Sequence, residues 1–138
     1  MSTLLLDSSV WLAARDRDDR FHEASAALLS SGSHELAALD LTLYEVCNVA
    51  AVRWHSEEEA RLLTELVLTT TMGRLVRIDA PIAGSAVSVA RAEGITVYDA
   101  AYVACARARD WQLVSGDLAG LVSRGLASAP DGPALGSG

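Results

Sequence analysis

Lysine is missing from this sequence: all 11 basic residues among its 138 are arginine. That absence excludes a Walker A phosphate loop, a Schiff-base enzyme and a Ser-Lys catalytic pair. It also counts against a phospho-acceptor receiver domain, which relies on a lysine beside its acidic pocket. Cysteine is scarce. Cys47 and Cys105 each fall among small apolar residues in a helical pattern, which reads as two reduced, packed thiols. His22, His34 and His55 are scattered without ligand spacing, so a zinc site is not expected. Aromatics make up 5% of the chain, so a core must be built mainly from Leu, Val and Ala. No apolar run approaches the roughly 20 residues needed to cross a bilayer. The N-terminal stretch MSTLLLDSSVW lacks a basic region and breaks at Asp7, unlike a signal peptide. Together these features suggest a soluble, cytoplasmic protein.

What is present is one domain's worth of alternating elements. Thr3–Leu6, Glu35–Leu39, Leu75–Ile78 and Gln112–Ser115 read as short buried strands. Between them, helical spacing predicts helices over Ser8–Ala14, Phe21–Ser31, Thr42 to about Trp54, Ser56 to about Thr70, Pro81 to about Glu93, and Asp99–Arg109. Ile95–Val97 reads as an extended link, and Leu118–Arg124 as a last short helix. Thr42 and Glu45 have capping-box spacing, as do Ser56 and Glu59. Strands alternating with helices give an α/β fold, a mostly parallel sheet flanked on both faces. Residues 1–126 form the expected domain. Residues 127–138 are rich in Pro and Gly and are expected to be a disordered tail.

In such sheets the working residues lie at the C-terminal ends of the strands. Asp7 follows the first strand directly, and Asp117 follows the fourth after one Ser-Gly step. Asp7, Asp99 and Asp117 each stand before a helical segment, where an N-cap role is the plain alternative. Glu45 is harder to explain in that way. It sits in LTLYEVCNVAAV, where a lone carboxylate carries a desolvation cost or takes up a proton. No basic residue follows on its helix until Arg53. Asn48, three residues on, shares its face and could orient a carboxylate or a water. Four gathered carboxylates need a cation, and hard oxygen donors suit Mg2+ or Mn2+. Such a site handles phosphate esters without a side-chain nucleophile. No convincing Ser-His-Asp or Cys-His set competes with it.

The segments LLLDSSVWL, LTLYEVCNVAAVR and VYDAAYVACARARDWQLVSGD resemble the PIN-domain family, most closely its VapC-type toxins. The resemblance spans Leu4 to about Leu121. It matches Asp7, Glu45, Asp99 and Asp117 to the family's four acids, Asn48 to a frequent asparagine, and Ser9 and Ser115 to hydroxyl positions. It implies a three-layer α/β/α sandwich. It implies Mg2+- or Mn2+-dependent hydrolysis of RNA, with the four acids as catalytic metal ligands supported by Ser9, Asn48 and Ser115. It further implies a homodimer silenced by a cognate antitoxin, which commonly sets a basic side chain into the acidic site.

A net charge of −7 argues against a nucleic-acid substrate. Setting the four acids aside leaves three of those charges, and divalent ions would neutralise the cluster. Arg15, Arg17 and Arg20 lie near the expected rim and could grip RNA phosphates. Alternatively they pair in solvent with Asp16, Asp18 and Asp19. Trp11 and Trp54 read as core or interface residues rather than base-stacking platforms, and Tyr98 and Tyr102 as supporting packing. Two other functions stay open: a catalytically silent module that binds antitoxin or RNA, and a small-molecule phosphatase. The phosphatase needs a second acid two residues after its nucleophile, where Ser9 stands.

Overall fold

The structure, a computed structural model, describes residues 2–135. Four strands, β1 (Thr3–Leu6), β2 (Glu35–Leu39), β3 (Leu75–Val76) and β4 (Gln112–Val114), form one parallel sheet in the order β3-β2-β1-β4. Alternation along the strands divides the core. Leu4 and Leu6 of β1 and Leu36 and Ala38 of β2 point to one face, and Leu5, Ala37 and Leu39 to the other; all are buried. Strands buried on both faces need helices on both, and these are present.

Helices α1 (Ser8–Arg15), α3 (Leu41–Asn48) and α4 (Glu57–Thr71) cover the first face, with Val10, Trp11, Val46, Leu63 and Val67 in its core. Helix α2 (His22–Ser30) packs on α1. Helices α5 (Ala80–Glu93) and α6 (Val97–Arg109) pack on each other across the second face. This is the three-layer α/β/α sandwich expected from the sequence.

Several boundaries differ from the sequence reading. β3 is two residues long, ending before Ile78. The helix expected from Thr42 starts at Leu41, so Thr42 lies within it, fully buried, and does not cap it. The helix expected from Asp99 starts at Val97, capped by the Thr96 hydroxyl, which accepts from Asp99 N at 3.1 Å. After Asn48 the helical path widens to a π-helical turn over Val49–Arg53, where Trp54 N donates to Val49 O at 3.0 Å. Ser56 does cap α4, accepting from Glu59 N at 3.0 Å. The chain beyond residue 126 is packed rather than a free tail as far as it is described. Ser128 bonds the β4 edge through Ser115 N and Leu113 O, and Leu135 is buried in the first-face core. The rest of the expected tail, residues 136–138, lies outside the described residues. Among the described residues no helix is long and apolar enough to cross a membrane.

The sheet order positions the site. From β1 the chain steps outward to β2 and then β3, and returns on the opposite side as β4. The strand order therefore reverses at the β1–β4 pair, and the crevice at the C-terminal ends of those strands is where α/β sheets bind ligands. Asp7 and the Ser115–Asp117 segment line this crevice.

Candidate active site

Asp7 ends β1 and caps α1. Its backbone N–H donates to Val114 O at 3.1 Å, which fixes it beside β4. Its side chain accepts from Ser9 N at 3.1 Å and, in a very short contact, from the Ser9 hydroxyl. Ser9 Oγ also accepts from Gly116 N at 2.8 Å, which ties the start of α1 to the loop after β4. A Cβ at position 116 would sit 3.3 Å from the Phe21 ring and 3.4 Å from Ser9 Oγ, a tight fit that favours glycine in that loop. Ser115, fully buried, reaches Asp7 with its hydroxyl and accepts from Asp117 N at 3.0 Å. Asp117 caps the turn Leu118–Val122, accepting from Gly120 N at 2.9 Å. A Cβ at Gly120 would overlap the Asp117 carboxylate.

The other two acids come from opposite layers. Glu45 lies half-buried on α3, and Tyr102 of α6 donates to its Oε1 at 2.6 Å. The Ser8 hydroxyl also bonds the Glu45 carboxylate. Asp99, in the first turn of α6, is held by Thr96. Each acid is thus anchored by hydroxyl or amide donors. The sole ion pair among the described residues joins Arg15 to Glu59, so no arginine or histidine neutralises the four acids.

Electrostatics show the consequence. Burial pushes the Asp7 carboxyl up to about 6, opposed by its Ser115 and Ser9 hydrogen bonds and reinforced by the charge of Asp99. Burial also raises Glu45, again with Asp99 adding. Burial raises Asp99 itself, with Asp117 adding. Asp99 is therefore the common electrostatic neighbour of the other three. The acids stand as a coupled group rather than a closed coordination shell: among the described residues, no three His, Cys, Asp or Glu side chains are gathered tightly enough to hold an ion. The donor set nevertheless fits a hard divalent cation. It offers only carboxylate oxygens, none of them in an ion pair among the described residues.

The remaining residues singled out in the sequence are placed as follows. Asn48 ends α3 and is exposed. Arg15 pairs bidentately with Glu59 of α4 at 2.6 and 3.1 Å, rather than with the acids of its own loop. Asp16 and Asp19 instead accept from Asp18 N and Phe21 N, shaping that loop. Arg17 is exposed. Arg20 stacks with its Cζ 4.9 Å from the Phe21 ring centroid. It borders a cavity of about 440 Å3 that also reaches Ser9 and Gly116. Trp11 is fully buried, and Trp54 packs against the first-face core. Tyr98 is 64% exposed, so it is not a packing residue; Tyr102, 1% exposed, is. Sequence reasoning missed Ser8 and Thr96, took Thr42 for a helix cap, and missed the bond from Tyr102 to Glu45. Thr42 and Tyr102 each stand one helical turn from an acid, the one signal that could have marked them.

The family model of the PIN domain matches residues 4–119. The chain belongs to the PIN-domain family. No curated protein matches it in sequence. Similar solved structures share the PIN-like fold at low identity. The toxin VapC20 of Mycobacterium tuberculosis, described as cleaving the sarcin-ricin loop, has a TM-score of 0.73 at 20% identity, over 88% of this chain and 94% of that one. A chain of a toxin–antitoxin complex from Klebsiella pneumoniae gives 0.68 at 18%, over 92% and 97%. A chain of FitAcB from Neisseria gonorrhoeae gives 0.66 at 21%, over 90% and 94%.

Proposed function

We propose that this PIN-domain protein is a metal-dependent endoribonuclease, hydrolysing RNA phosphodiester bonds as the toxin of a type II toxin–antitoxin pair. The observation that supports this reading is the electrostatic coupling of Asp7, Glu45 and Asp117 to Asp99, with no ion pair to any of the four among the described residues. Asp7, Glu45, Asp99 and Asp117 would hold Mg2+ or Mn2+. The ion supplies Lewis-acid stabilisation to the phosphoryl group and acidifies water for the attack. The chain's own residues prepare that site. Ser9 and Ser115 fix Asp7, the Asp117 cap is held by its own turn, and Thr96 holds Asp99. Asn48, exposed beyond Glu45, is free to meet substrate. Arg20, which borders the cavity reaching Ser9 and Gly116, and the exposed Arg17 would take RNA phosphates. Arg15 is bound to Glu59 and contributes to RNA only if that pair opens.

The partner reading draws on the relatives described as toxin–antitoxin complexes. An uncompensated acidic rim would attract a basic antitoxin segment by long-range steering. The exposed apolar side chains Val87, Val97 and Tyr98 support a homodimer face on the α5–α6 layer. A cytoplasmic place follows from an RNA substrate and from the reduced thiols. Against the silent-module alternative stand the four acids, all present and coupled through Asp99.

The test is cleavage of a mixed RNA pool by antitoxin-free protein. Cleavage is expected in Mg2+ or Mn2+ and not in EDTA. Asp99→Asn should lower it by on the order of 100-fold or more, since losing even an outer support of a ligand costs 10–100-fold. A folded protein that leaves every RNA intact in both metals would turn the assignment toward the binding module.

A further inference from the structure

Glu45 is anchored from inside the core. Tyr102 is 1% exposed, and its hydroxyl donates to Glu45 Oε1 at 2.6 Å. The same hydroxyl lies 2.7 Å from Thr42 Oγ1, and Thr42 is fully buried. A phenol has one proton. With that proton directed at Glu45, the second contact requires the proton of Thr42. The order of donation is therefore fixed: Thr42 to Tyr102, and Tyr102 to Glu45. Such a chain polarises each member and strengthens the final, charge-assisted bond.

Packing alone does not account for this hydroxyl. Phenylalanine would fill the same volume without a polar atom to satisfy, and a buried hydroxyl costs free energy unless it is bonded. Here one of its two partners is an acid of the site. The geometry also joins two layers. Thr42 and Glu45 sit three residues apart on α3, and Tyr102 sits three residues beyond Asp99 on α6. One rigid helix therefore carries Asp99 and also fixes the orientation of Glu45 across the cleft.

We infer that Tyr102, oriented by Thr42, is a positioning residue that sets the Glu45 carboxylate relative to Asp99 for binding a divalent cation. This rests on the nuclease reading above. The test uses the full chain with Tyr102→Phe and Thr42→Val, each followed by thermal melting, by Mn2+ titration read from the free-ion paramagnetic signal, and by RNA cleavage against Mn2+ concentration. Tyr102→Phe should fold and should weaken Mn2+ binding by on the order of 10-fold, the range for outer-shell partners of metal ligands. Its cleavage should fail at low Mn2+ and recover largely at saturating Mn2+. Thr42→Val should shift the same midpoint in the same direction by less. A Tyr102→Phe protein with a lower melting temperature but an unchanged Mn2+ midpoint, and no recovery by added metal, overturns the inference. If Tyr102→Phe does not fold, an unchanged midpoint in Thr42→Val overturns it instead. Wild-type protein that neither binds Mn2+ nor cleaves RNA defeats the nuclease reading itself, whereas binding and cleavage that ignore both substitutions defeat this inference alone.

Discussion

Asp7→Asn is expected to make the metal-free protein more stable at pH 8 while removing its RNA cleavage. The sign follows from burial. The carboxyl lies at about 6 in the folded chain against an ordinary value of 3.8. Between those values the folded state holds a proton that the unfolded chain has lost. Stability therefore falls as pH rises from about 4 to about 6, and it stays lowered above that. The gap corresponds to about 3 kcal/mol at roughly 1.4 kcal/mol per pH unit. Asparagine is neutral throughout, can still accept from Ser9 and can still cap α1. It should gain about 2 to 3 kcal/mol at pH 8, shrinking to nothing near pH 4. Denaturant unfolding in EDTA at both pH values, beside the cleavage assay, checks both halves. A variant destabilised equally at both would make Asp7 an ordinary helix cap.

The second large effect concerns metal and proton together. Saturating Mn2+ should stabilise the wild-type protein at pH 8, by about 2.7 kcal/mol at 100 times its dissociation constant. A cation binds the ionised carboxylates, so protons compete with it. Asp7 becomes neutral as pH falls through about 6, and Glu45 and Asp99 are also raised, by burial and then by neighbouring acids. The gain in melting temperature should therefore shrink through pH 6 and be absent near pH 4. In Asp7→Asn it should be small at every pH. A gain that persists at low pH, or that survives in the variant, would place the ion elsewhere, for example on the Asp16–Asp19 loop.

Much of this was legible in the sequence because it depends on local pattern. All four strands were marked by short apolar runs, and the alternation of strands with helices set the parallel order and the rim. Glu45 stood out because its neighbours are apolar, and the structure keeps it half-buried and without a base. The cation demanded by that logic is not supplied by the protein. What the sequence hid is what the tertiary fold joins. Tyr102 and Glu45 are 57 residues apart, and Arg15 and Glu59 are 44 apart. Neither pairing leaves a mark in any local window. Thr42 has the spacing of a capping residue, yet Leu41 precedes it in the helix, and its hydroxyl turns inward to Tyr102. Thr96, not Asp99, takes the capping place of α6. The Pro/Gly composition after residue 126 suggested disorder, but Ser128 finds the open edge of β4 and Leu135 finds the core. A composition rule cannot register a single strand bridge or one buried leucine.

The most direct test of the central claim is an equilibrium Mn2+ titration at pH 8 on the wild-type chain and on Asp7→Asn, Glu45→Gln, Asp99→Asn and Asp117→Asn. Saturable binding that each of the four substitutions weakens, with Asp99→Asn among the most damaging because Asp99 is the acid coupled to the other three, is the expected result. Binding of equal strength in all five proteins, or no saturable binding in a correctly folded wild type, would contradict the account.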